Sequence, residues 1–138
     1  MSDNAAIVRQ FVDEVLNQGD FDGLGRFMRE DVVQHVPFPG RDPGLSGFQE
    51  MLRSARVAFP DLQWSVEEQM VDGDRVLTRF VWTGTQLGPF LGVPATGRKV
   101  TVSGMALDRL NDGKITETRF LMDTFGLMTQ LGALPAGQ

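Results

Sequence analysis

Apolar side chains recur at helical spacing near the start of the chain. Ile7, Val8, Phe11, Val12, Val15 and Leu16 form one stripe, which predicts an amphipathic helix over residues 4 to 18. Ser2, Asp3 or Asn4 can cap it, and Gly19 sits where a left-handed residue ends a helix. Asp20 then caps a short second helix with Leu24, Phe27 and Met28 on its inner side. Residues 32 to 36, Val-Val-Gln-His-Val, read as a short strand. Pro37, Pro39, Gly40, Pro43 and Gly44 make the loop that follows. Ser46 with Gln49 has capping-box spacing and opens a third helix carrying Phe48, Met51, Leu52, Ala55 and Phe59, which Pro60 stops.

After Asp61 the period changes to two. Leu62, Trp64 and Val66 mark a strand running to about Val71, and Asp72-Gly73 is a hairpin signal. On the return strand Val76, Thr78, Phe80 and Trp82 point one way, and Leu77, Arg79 and Val81 the other. Two equally apolar faces predict a central strand covered on both sides. Residues 84 to 98 are rich in glycine and proline yet hold Phe90, Leu91 and Val93, the pattern of an ordered pocket rim. Strands follow over residues 99 to 110 and 114 to 124. Asn111-Asp112-Gly113 joins them as a turn of two or three residues, which leaves the register open by one. Phe125 to Leu131 suits a last short helix, and residues 133 to 138 a frayed tail. Helices grouped before an antiparallel meander predict one α+β domain over residues 1–138, with helices packed on one curved antiparallel sheet.

Composition narrows the function classes. The net charge is -5 and the basic residues are scattered, which argues against nucleic acid as a partner. It equally disfavours an anionic membrane. No cysteine is present, so disulfides, thiolate metal sites and cysteine nucleophiles are excluded. Met1 to Asn4 lacks the basic start and apolar run of a signal peptide, and no stretch approaches membrane-spanning length, so a cytoplasmic protein is expected. One histidine and no tyrosine leave few groups for acid/base work near neutral pH.

Several segments, in order, resemble the SnoaL-like polyketide cyclase family of the nuclear transport factor 2-like superfamily. They are residues 7–20 (IVRQFVDEVLNQGD), residues 33–37 (VQHVP), residues 58–62 (AFPDL) and the Gly84-Thr85 to Gly97-Arg98 loop. Residues 112–117 (DGKITE), Asp123 and residues 126–132 (GLMTQLG) complete the set. The resemblance implies a cone-shaped barrel around a deep apolar pocket, with no metal or organic cofactor. Family members close polyketide rings by aldol chemistry, and related proteins hydroxylate polyketides. The family cyclases use an aspartate near the end of the last strand as acid/base, and Asp123 matches that position. They also carry a histidine in the preceding strand, and residues 100–110 contain none. Gly-Thr-His of the loop is Gly84-Thr85-Gln86 here, and His-Trp after Glu117 is Thr118-Arg119.

The candidate residues carry two readings each. Asp123 is either a buried acid/base or the cap of the helix that follows. His35 is a pocket-rim residue titrating near neutrality or a satisfied structural histidine. Arg119 either orients a substrate oxyanion or pairs with Glu117 or Asp108. Trp64, Trp82, Phe38, Phe90 and Met105 are candidate walls for a planar ligand or plain core, and Gln86 binds ligand or ties down its loop. The resulting expectation is a cofactor-independent enzyme acting on a small hydrophobic carbonyl compound. A cofactor-free hydroxylase or a non-catalytic binding module is the alternative. A sheet apolar on both faces with helices on one predicts a homodimer.

Overall fold

The computed structural model describes residues 3–35 and 44–133. The first helical stripe forms α1, Asn4–Phe11, which continues as a π-helical turn over Val12–Asn17. Asp3 caps α1 by accepting from the Ala6 N–H at 3.0 Å. Gly19 takes the left-handed conformation, φ 79°, and Asp20 caps a 3₁₀ helix over Phe21–Arg26. These are the elements predicted from residues 4 to 26.

Strand β1, Met28–Gln34, begins four residues earlier than the alternation suggested. Met28 and Val32 are its buried positions, and the charged run Arg29-Glu30-Asp31 between them hides the period. Helix α2, Leu45–Ala58, starts from Gly44 without a side-chain cap. Gln49 does not close a capping box; its amide donates to the Phe21 carbonyl at 2.7 Å and ties α2 to the 3₁₀ turn. Pro60 follows the helix end, as expected of a residue with no N–H to continue it.

Strands β2 (Gln63–Asp72), β3 (Arg75–Thr85), β4 (Lys99–Asn111) and β5 (Lys114–Met122) form the predicted antiparallel meander, and α3 covers Thr124–Gln130. Among the described residues the sheet order is β1-β5-β4-β3-β2. β1 lies parallel to β5, so the sheet is mixed rather than wholly antiparallel. β1 and β2 are both edges, so the sheet curves round the helices without closing into a barrel.

The hairpin from β4 to β5 turns on two residues, Asp112 and Gly113, both at positive φ. That geometry matches the right-handed twist of the strands. A bulge then shifts the register by one: Leu110 pairs with Ile115, but Arg109 pairs with Glu117. Beyond it Thr118, Phe120 and Met122 face the helices, and Arg119 and Leu121 face away. β3 is an interior strand, but its outer face is not fully covered by the described residues: Leu77 and Val81 are half-buried. Next to them Met105 and Leu121 pair across β4 and β5 and stand exposed.

Candidate active site

Between the inner face of β2–β5 and the α1, π-helical and α2 segments lies a narrow cavity of about 80 Å³. Its helical wall includes Val8, Phe11, Leu16, Phe48 and Leu52. Its sheet wall includes Trp64, Phe80, Trp82 and Phe120. The aromatic wall is stacked. Phe80 and Phe120 lie nearly parallel with centroids 5.3 Å apart. Trp64 tilts over both, at 4.9 Å from Phe80 and 6.1 Å from Phe120. Gly104 permits this, since a Cβ there would lie 2.6 Å from the Phe80 ring and 2.5 Å from the Leu121 carbonyl. Trp82 stands 6.1 Å from Trp64 and meets Phe59 edge-on at 5.0 Å.

Among the described lining residues one side chain is ionisable, Asp108. It is 4% exposed, it sits in the inward series Val100, Val102, Ala106, Leu110 of β4, and it pairs across the sheet with Val76 and Thr118. Burial without a cation pushes its carboxyl up from 3.8 to about 6, against a smaller opposing effect of the Thr118 hydrogen bond. Thr78 adds a hydroxyl to the same wall. Asp108 and Trp82 stand far apart along the sheet. Val76, the partner of Asp108 on β3, is six residues from Trp82, or about 20 Å of strand.

The loop after β3 brings Phe90 to the cavity. Phe90 and Val93 exchange backbone hydrogen bonds at 3.0 and 2.9 Å across a tight turn in which Leu91 and Gly92 have positive φ. The Phe90 ring then meets Phe59 at 5.2 Å. Gln86 is fully buried and spends its amide inside the loop. It donates to the Val93 carbonyl at 3.0 Å and accepts from the Thr96 N–H and hydroxyl at 3.1 and 2.7 Å. It ties down the loop and makes no wall of the cavity.

Of the residues singled out from sequence, the structure brings Trp64, Trp82 and Phe90 together at the cavity. Four others lie elsewhere. Asp123 is exposed and caps α3, accepting from the Gly126 N–H at 2.8 Å. His35 sits at the end of β1 with Nε2 2.7 Å from Glu117 Oε2. That hydrogen bond, helped by the Arg109 charge, holds Glu117 below the usual carboxylate range. Arg119 and Met105 are on the outer face of the sheet, exposed: the bulge reverses the phase of β5 at Arg119, and Met105 stands in the outward phase of β4. Phe38 lies outside the described residues. The residue that sequence reasoning passed over is Asp108. Its signal was present: a carboxylate standing in the apolar phase of a period-two strand.

The model of the SnoaL-like polyketide cyclase family matches residues 6–131. Aklanonic acid methyl ester cyclase DnrD of Streptomyces peucetius is 30% identical over 139 residues, spanning 96% of this chain and 92% of that protein. Among solved structures, TsrD from Streptomyces laurentii superimposes with a TM-score of 0.86 at 30% identity, over 97% of this chain and all of its own. AclR from Streptomyces galilaeus, a proposed hydroxylase, does so with a TM-score of 0.83 at 29% identity, over 96% and 97% of the two chains.

Proposed function

Because this chain belongs to the SnoaL-like polyketide cyclase family, we propose that it is a cofactor-independent cyclase-like enzyme in which Asp108 moves a proton at a carbon beside a carbonyl. The observation carrying this reading is Asp108, the one ionisable group among the described residues of an apolar cavity wall, with its carboxyl raised to about 6. A general base works best when its pKa lies near the operating pH. At pH 7 Asp108 is mostly the carboxylate, so it can take the proton. Once neutral it is at ease in its apolar surroundings.

The balanced sequence is short. The Asp108 carboxylate takes a proton from the carbon beside a substrate carbonyl, leaving an enolate and a neutral carboxyl. The enolate carbon bonds to a second carbonyl carbon of the same molecule. The new alkoxide takes back the proton, and Asp108 is restored. No oxidant, reductant or metal enters the balance.

The test is α-proton exchange of 1-tetralone in deuterated buffer, followed by NMR. The wild-type protein accelerates exchange, with a rate that rises with pH through an apparent pKa near 6 as the carboxylate forms. Asp108→Asn lowers the acceleration by at least about 100-fold. Equal exchange by the two proteins removes Asp108 from the chemistry.

The likeness to AclR favours a second reading, in which the same cavity hosts a cofactor-free hydroxylation. That reaction consumes dioxygen. Turnover of an anthrone-type substrate that continues undiminished without oxygen rejects it.

A further inference from the structure

The cavity wall carries two polar groups that the acid/base reading leaves unused. The indole Nε1 atoms of Trp64 and Trp82 are both buried and have no hydrogen-bond partner among the described residues. Both side chains line the cavity. Trp82 is 3% exposed. A buried donor without a partner costs folding free energy, and two on one wall of one cavity call for a reason.

Neither ring is loosely placed. The backbone of Trp64 is clamped by Asn17, whose side-chain oxygen accepts from the Trp64 N–H at 2.6 Å and whose amide donates to the Trp64 carbonyl at 3.0 Å. Asn17 is the last residue of the π-helical turn, and its own carbonyl accepts from Arg56 of α2 at 2.8 Å. Trp82 is held between its strand partners Trp64 and Val102 and the edge-on ring of Phe59. Donors fixed in this way lose no rotamer freedom on binding a ligand.

We propose that the Trp64 and Trp82 indole N–H groups are the substrate-reading donors of the cavity, each hydrogen-bonding a carbonyl or phenol oxygen of a flat, uncharged, multi-ring ligand. Several features limit the ligand to that chemistry. Indole nitrogen donates and cannot accept, so it selects an oxygen acceptor. Among the described residues no lysine or arginine lines the wall, and Asp108 is there instead, so a carboxylate or phosphate would be repelled. Phe80, Phe120 and the indoles themselves offer stacking area to flat rings. Trp64 and Trp82 are cross-strand partners at one level of the sheet, but their rings have different neighbours. The Trp64 ring meets Phe120, whose partner Ala106 is two residues from Asp108, and the Trp82 ring meets Phe59. The Trp64 donor therefore serves an oxygen on the Asp108 side of the ligand, and the Trp82 donor one on the Phe59 side.

This inference rests on the cavity being the substrate site, but its test is binding and not turnover, so the two fail separately. The chain has two tryptophans, so ¹⁵N-labelled protein gives two indole N–H signals. Titration with 1-tetralone, which has one carbonyl, shifts at least one signal downfield. Tetralin, the same skeleton without oxygen, produces no downfield shift. Trp64→Phe and Trp82→Phe keep the aromatic wall and delete the donors. Each substitution that removes a ketone contact weakens tetralone binding by about tenfold and leaves tetralin binding within about twofold. In Asp108→Asn the indole shifts persist even where exchange is lost. Indole signals unmoved by the ketone, moved alike by both compounds, or a loss of affinity equal for ketone and hydrocarbon would overturn the proposal. The wild-type titration alone decides the matter if a variant does not fold.

Discussion

Replacing Asp108 by asparagine should make the protein more stable while it inactivates it. The unfolded chain releases this proton at 3.8, and the folded chain holds it to about 6. Between those values the native state binds more protons than the unfolded state, so stability falls as pH rises, and above about pH 6 the whole loss is in place. A difference of about 2.2 units at about 1.36 kcal/mol each sets the loss at about 3 kcal/mol. Asparagine keeps the shape, can still hydrogen-bond the Thr118 hydroxyl, and carries no charge to desolvate. Urea denaturation at pH 8 should therefore show Asp108→Asn more stable than wild type by up to about 3 kcal/mol. That corresponds to about 12 °C in Tm at about 4 °C per kcal/mol for a chain of this size. At pH 4 the wild-type carboxyl is neutral in the folded state and only about half ionised in the unfolded one, and the gain should shrink below about 1 kcal/mol. A variant no more stable than wild type at pH 8, or a difference that does not change with pH, would refute the argument. Either result would mean that Asp108 is solvated or paired with a cation, and the case for a poised base would go with it.

Two further outcomes bear on residues outside the cavity. Asp123→Ala should cost about 1 kcal/mol of stability through loss of the α3 cap and leave the α-proton exchange rate unchanged; a drop in exchange with the fold intact would restore a chemical role to Asp123. The outer sheet face, with Met105 and Leu121 paired and exposed beside Leu77 and Leu107, should be covered by a second copy of the chain; sedimentation at micromolar concentration should give twice the chain mass for wild type and a monomer for Leu121→Glu, and a monomeric wild type rejects the dimer.

Local chemistry made most elements legible in the sequence. The Ile7-to-Leu16 stripe, the Asp20 cap, the Pro60 stop and the two Gly-containing hairpins all declare themselves within a few residues, because each is decided by near neighbours. What stayed hidden was decided by pairing between distant strands. β1 is set by contact with β5, and its inward Met28 and Val32 are separated by three charged residues. No periodicity reports such a strand. That β1 runs parallel, and that the sheet remains open, follow from the same long-range contact.

The outward position of Arg119 has one physical reason. A single bulge between Arg109 and Leu110 reverses the phase of β5. Without it Arg119 shares the inward parity of Ile115; with it Arg119 faces out, and Thr118, Phe120 and Met122 face in. β4 has no such ambiguity on its own. Val100, Val102, Ala106 and Leu110 settle its inward phase, and Asp108 stands in that phase. The stronger signal was therefore a residue that breaks the apolar pattern of an element whose pattern is otherwise clear. Asp108 and the two unpartnered indoles obey the same logic. Each group makes the folded chain less stable than an apolar or paired replacement would, and all three lie on one cavity wall. Destabilising groups gathered on one surface are the mark of a surface shaped for a ligand, and this is why the cavity, and neither the α3 cap nor the His35–Glu117 pair, is where chemistry should be sought.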